Sequence, residues 1–287
     1  MSAVLLGLLA GLAATPASTA PVCGATPAME RLQAELDRPR GVLLIAAHRA
    51  GHLRAPENSL TAIDEAISEG ADIVEIDIKV SADGVPFLMH DQTVTRTTGG
   101  EGEAESLTYA QVRRLTLKGG QEPPPTLLET LRRTCGRVLV DLDLKTDRIA
   151  PIAALVEGLG MIGQVIFFDG DSEVLRQVRG LAHRARVMPR INTPDGLQAA
   201  AKGLAPIAII HGDPGSLTPQ LQAGVRALPA RVWINSLGEV DEAIASGAPE
   251  VCARLGALVG VDVNVVQTDQ PRRMRAALTA CGLKAAR

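Results

Sequence analysis

Short apolar runs alternate with amphipathic stretches along most of this chain, regularly enough to define a fold. Runs at 42–47, 73–80, 138–144, 165–168, 185–188, 207–210, 231–234 and 263–266 are rich in Val, Ile and Leu and have strand length. Near-continuous apolar character marks strands buried on both faces, as in a parallel sheet covered by helices. The segments between them carry helix signals. Asn58 precedes Leu60, Ile63, Ala66 and Ile67 at helical spacing, with Gly70 as a stop, so Asn58 is expected to cap that helix. Thr126-Leu127-Leu128-Glu129 reads as a capping box, and Thr193-Pro194 as a cap with Pro at the first helical position. Eight strands interleaved with helices predict an α/β fold, a (β/α)8 TIM barrel over residues 41–287, with an open doubly wound sheet as the alternative.

Two stretches break the alternation. Asp83-Gly84 reads as a hairpin turn and 85–89 as a short return strand, followed by a mixed-charge excursion. This makes a small insertion after the second strand, about residues 83–122, expected at the catalytic mouth because His90 adjoins it. At the start of the chain an uncharged apolar run over 4–14 leads into small residues at 16–20, the pattern of a signal peptide over residues 1–20, here without a basic residue ahead of it. The run is too short to span a bilayer. Export to a periplasmic or extracellular space, with no stable membrane span, is the expectation.

Composition narrows the partners. With 29 basic and 32 acidic side chains and no long charge runs, nothing draws the protein to nucleic acid or to an anionic membrane, and a small-molecule substrate fits better. The oligomeric state stays open. Four cysteines, Cys23, Cys135, Cys252 and Cys281, form no CxxC pair. An exported chain permits disulfides, and Cys23 and Cys281 would meet if the fold closes on itself; buried free thiols are the alternative.

The chemistry concentrates on two acidic strands and two histidines. Glu75 and Asp77 share one strand face while Val74, Ile76 and Ile78 share the other. Two acids inside a barrel repel each other and are poorly solvated, a cost that a divalent cation removes; a solvated edge strand is the plainer reading. On the second acidic strand Asp141, Asp143 and Lys145 share a face. Asp143, near the strand end, is the third candidate ligand, Asp141 lies deeper, and Lys145 offers a cation to a phosphate oxygen. An all-oxygen ligand set favours one Mg²⁺ or Ca²⁺. His48 and His90 stand where barrel chemistry resides and are candidate general acid-base groups, with Arg49 on a phosphate oxygen. His52, His183 and His211 are expected to be structural. Glu57 either approaches the metal or fixes its loop, and Trp233 either walls the substrate pocket or packs in the core.

His48-Arg49, Pro56-Glu57-Asn58, 70–77, Asp83-Gly84, His90-Asp91 and Arg96-Thr97-Thr98 resemble, in order and spacing, the glycerophosphodiester phosphodiesterase family. The likeness is strong over 42–145 and continues weakly through 125–127, 232–235 and Thr268-Asp269-Gln270-Pro271. It implies a (β/α)8 barrel and a divalent cation on Glu75, Asp77 and the acid two before the lysine. It also implies acid-base roles for His48 and His90, and phosphate contacts from Arg49 and Lys145. Hydrolysis of glycerophosphodiesters to an alcohol and sn-glycerol 3-phosphate would follow, with either water or the substrate's own glycerol hydroxyl as first nucleophile. The chain departs from the family pattern at Ala50, where Gly is usual, and at Asp143, where Glu is usual and one methylene longer. A lipid-directed phospholipase D or C-like barrel and a non-catalytic secreted binding protein are the rivals; a chain only 2% aromatic is a poor match to an acyl-binding rim.

Overall fold

The computed structural model describes residues 23, 26–260 and 262–286; the expected signal peptide over 1–20 lies outside the described residues. Nine strands form in chain order: β1 (Leu44–Ala47), β2 (Ile73–Val80), β3 (Pro86–Leu88), β4 (Leu139–Leu144), β5 (Val165–Asp169), β6 (Arg186–Pro189), β7 (Ile209–Gly212), β8 (Arg231–Asn235) and β9 (Val265–Thr268). Their order is β6-β5-β4-β2-β1-β9-β8-β7, and β3 pairs with β2 alone. All neighbours along the path are parallel, whereas β3 returns antiparallel. A parallel bridge from Arg190 to His211, with Ile191 N–H donating to His211 O at 2.8 Å, brings β6 to β7 and all but closes an eight-stranded barrel.

The strand period of two sorts side chains into an inner and an outer set. Outward, Val74, Ile76 and Ile78 of β2 and Val140 and Leu142 of β4 pack on the helices in one large cluster. Inward, Leu44, Ile73, Leu139, Ile166, Ile209, Trp233 and Val265 fill the lower barrel. The helix Pro27–Leu36 plugs that end with Met29, Leu32 and Leu36. Thr26 caps this helix through Met29 N–H at 3.2 Å. Arg231, fully buried, ties it down by donating to Leu36 O at 3.0 Å and pairing with Glu35 at 2.9 Å. The barrel unit therefore starts upstream of the expected residue 41.

Helix starts follow their cap residues. The capping box of Thr126 and Glu129 opens Leu127–Thr134, and Thr193 caps Pro194–Gly203. The cap of Leu60–Ser68 is a correction: Ser59 accepts from Ala62 N–H, and Asn58 is occupied elsewhere. Beyond the hairpin the excursion folds into short helices, Thr95–Thr98 and Tyr109–Val112, over a small core of Phe87, Met89, Val94, Ala104 and Val112. Among the described residues no helix is long and apolar enough to cross a membrane.

Cysteine pairing is the second correction. Cys23 bonds to Cys135 and Cys252 to Cys281, because the chain start reaches the end of Leu127–Thr134 and not the last helix, which pairs with Val251–Val259. The two bonds close loops of 112 and 29 residues. Chain-entropy arguments put their losses at about 4.8 and about 3.6 kcal/mol. Denaturant unfolding should show Cys23→Ala/Cys135→Ala the more destabilised double variant, and intact protein should take up alkylating reagent only after reduction.

Candidate active site

The upper ends of the barrel strands surround a cavity of about 170 Å³ lined by His48, Glu75, Asp77, His90, Asp141, Asp143, Lys145, Phe168, Arg190, His211, Asn235 and Gln267. Its floor follows from strand alternation. The inward positions that are Ile73 and Leu139 lower down become acids one and two steps higher, and the parallel register pairs Glu75 with Asp141 and Asp77 with Asp143. Burial first, then Asp77, Asp143 and Asp141, pushes the Glu75 carboxyl well above its ordinary range. Burial and then Asp143 and Asp77 do the same to Asp141, and burial raises Asp143 against the opposing pull of Lys145.

Oxygens of Glu75, Asp77 and Asp143 lie within 4.8 Å of one another, so the shorter Asp143 still joins the set. Hard oxygen donors at this spacing, two buried and one half-buried and mutually repelling, fit a divalent cation. Each acid is held from behind. Glu75 Oε2 accepts from Arg49 N–H at 2.8 Å and from Gln267 Nε2 at 3.0 Å. Asp77 Oδ2 accepts from Asn58 Nδ2 at 2.8 Å, while Asn58 Oδ1 accepts from Asp77 N–H at 3.0 Å. Asp143 Oδ2 accepts from Lys145 Nζ at 2.6 Å. The Arg49 amide reaches Glu75 because the chain after β1 turns through left-handed conformations at Arg49, Ala50 and Gly51, with φ of 46°, 65° and 69°. Such a conformation explains the usual Gly at Ala50, whose methyl is here buried.

Both candidate histidines are oriented by carboxylates. His48 Nδ1 lies 2.8 Å from Asp269 Oδ1, and His90 Nδ1 lies 2.7 Å from Asp91 Oδ1, which leaves Nε2 of each ring for chemistry. Burial would raise Asp269, but hydrogen bonds from His48 and His52 outweigh it and hold the carboxyl well below the ordinary range. Arg96 does the same for Asp91, with His90 assisting. His52 Nε2 stands 3.2 Å from Asp269 Oδ1, and that hydrogen bond raises His52.

The structure redistributes several expected roles. Glu57 is outside the carboxylate set and lies between Arg49 Nη1 at 3.1 Å and Arg96 Nη2 at 2.7 Å, so its part is to fix the loop. Arg49 does not line the cavity; its guanidinium faces Glu57 and Asp77. Lys145 lines it but is ion-paired with Asp143, and Asp77 Oδ1 is 3.6 Å away. Trp233 is fully buried in the lower barrel and walls nothing. His211, expected to be structural, lines the cavity opposite the acids, bonded to Asn235 Oδ1 at 3.1 Å. Asp91, Asp269 and Asn58 hold the histidines and Asp77 in place through contacts that sequence reasoning missed. For Asp91 and Asp269 a signal existed, since each is a carboxylate inside a motif that accompanies a histidine.

Comparison with known proteins points the same way. Residues 48–158 match the model of the glycerophosphoryl diester phosphodiesterase family. Glycerophosphodiester phosphodiesterase 1 of Homo sapiens is 50% identical over 148 residues, covering 52% of this chain and 37% of the human protein. The chain thus spans less than half the length of the sequence relatives it matches. A crystal structure of glycerophosphodiester phosphodiesterase from Agrobacterium tumefaciens superposes with a TM-score of 0.69 at 27% identity, covering 82% of this chain and 100% of that one. The phosphodiesterase of Oleispira antarctica, solved with its product sn-glycerol-3-phosphate, shares the fold with a TM-score of 0.70 at 24% identity, covering 83% and 97%. The matched stretch, residues 48–158, carries both histidines and all three clustered carboxylates, and over it this chain is similar to the glycerophosphodiester phosphodiesterase family.

Proposed function

We propose that the protein hydrolyses glycerophosphodiesters to an alcohol and sn-glycerol 3-phosphate, with one Mg²⁺ or Ca²⁺ held by Glu75, Asp77 and Asp143 and with His48 and His90 as the acid-base pair. One observation carries the reading: two histidines, each oriented through Nδ1 by an aspartate, line the same small cavity as a three-carboxylate cluster. When bound, the cation supplies positive charge against the phosphoryl oxygens. An ionised Asp269 accepts the Nδ1 proton of His48, so Nε2 is an acceptor in the neutral ring and a donor once protonated, and the same holds for His90 with Asp91. One ring takes the proton of the attacking hydroxyl and the other returns a proton to the departing alcohol oxygen. Lys145 adds a second positive group at the cavity wall.

A water-soluble diester suits the surroundings better than a lipid. Among the described residues the large exposed hydrophobics are Val42, Leu53 and Leu181, too scattered to receive acyl chains. The name of the human relative and the product bound to the Oleispira enzyme support the same substrate class. Export fits as well, because two disulfides persist best in an oxidising compartment.

Glycerophosphocholine, glycerophosphoethanolamine and glycerophosphoinositol, assayed with Mg²⁺ and with Ca²⁺, should release glycerol 3-phosphate. His48→Ala and His90→Ala should each lower kcat by about 10²–10⁴-fold. Binding of these diesters without turnover would instead favour the binding protein. Asp269→Asn should lower kcat by about 10²-fold or more while leaving KM nearly unchanged, because an amide donating to Nδ1 fixes the proton on Nε2, where it blocks base action. Wild-type kcat in that variant would remove Asp269 from the mechanism.

A further inference from the structure

The buried Trp233 sits one inward layer below the site, and its bonding dictates the orientation of a group above it. An indole N–H can only donate. Its partner is Gln267 Oε1 at 2.9 Å, so the Gln267 amide has one allowed orientation, with Nε2 turned to Glu75 Oε2 at 3.0 Å. Gln267 is itself 5% exposed and aligned with Asn235 across β8 and β9, which leaves it little room to rotate. Glu75 Oε2 also takes the Arg49 N–H at 2.8 Å, and two donors occupy that oxygen. No hydrogen bond among the described residues reaches Glu75 Oε1.

We propose that Gln267, held by Trp233, is a positioning residue that reserves Glu75 Oε1 for the cation. The inference rests on the cation reading above and goes beyond it by assigning a role to two side chains outside the ligand set. Without the indole, the amide is free to turn its oxygen toward the Glu75 carboxylate, which would repel and displace it. Without the amide, Glu75 loses one of its two donors and can rotate. Partners of this kind typically change metal affinity by about 10–100-fold when removed.

Trp233 is the single tryptophan of the chain, so its fluorescence reports on this pair directly. Metal-stripped protein titrated with Mg²⁺ or Ca²⁺ should show an emission change whose midpoint matches the Kd from calorimetry. Gln267→Leu should weaken that Kd by about 10–100-fold and uncouple the emission from cation binding. Trp233→Phe keeps an aromatic ring in the core and should weaken the calorimetric Kd by about 10-fold, which provides the test if Gln267→Leu does not fold. Wild-type affinity in either folded variant overturns the inference. A wild-type protein that binds neither cation in calorimetry overturns the cation reading itself, and the inference with it.

Discussion

Four carboxylates in two cross-strand pairs, Glu75 with Asp141 and Asp77 with Asp143, three of them buried and Asp143 half-buried, are the constraint around which this barrel is arranged. Left alone, such a cluster is unstable: burial and mutual repulsion favour protonation, and three of the four are pushed above their ordinary range. The fold answers with donors from every side. Arg49 contributes a main-chain amide from the turn after β1, Asn58 a side-chain amide from the loop before the helix Leu60–Ser68, Gln267 an amide from β9 and Lys145 an ammonium from the end of β4. These groups orient the acids without neutralising all of them, which leaves Glu75, Asp77 and Asp143 a group that could hold a divalent cation.

The same logic extends outward to the histidines. Asp91 is gripped by Arg96, Arg96 by Glu57, and Glu57 by Arg49, whose guanidinium also faces Asp77. On the other side Asp269 takes its backbone support from Asp241 and its ring contacts from His48 and His52. Both histidines and the clustered acids are therefore held by polar networks over an apolar lower barrel. Networks of this kind are rigid when fully satisfied.

Much of this was legible in the sequence, for a physical reason. Strand alternation is local, so Glu75, Asp77, Asp141 and Asp143 announce their shared face without knowledge of the fold, and all eight barrel strands stand within about two residues of their apolar runs. What escaped was long-range. Whether Asn58 caps a helix or clamps Asp77 depends on where β2 lies, and whether Trp233 faces substrate or core depends on how far up the strand the cavity begins. Cysteine pairing depends on which loops meet. The inward apolar layer closed by the helix Pro27–Leu36 was equally hidden, since an amphipathic helix does not say which surface it covers.

On the function proposed above, the carboxylate cluster takes a divalent cation for phosphodiester cleavage. Phosphorus NMR of glycerophosphocholine with metal-stripped protein, followed by addition of Mg²⁺ or Ca²⁺, tests it most directly. The diester resonance should persist until the cation is added and then give way to that of glycerol 3-phosphate. Conversion by the stripped protein, or none after either cation is restored, would rule out that role for the cation.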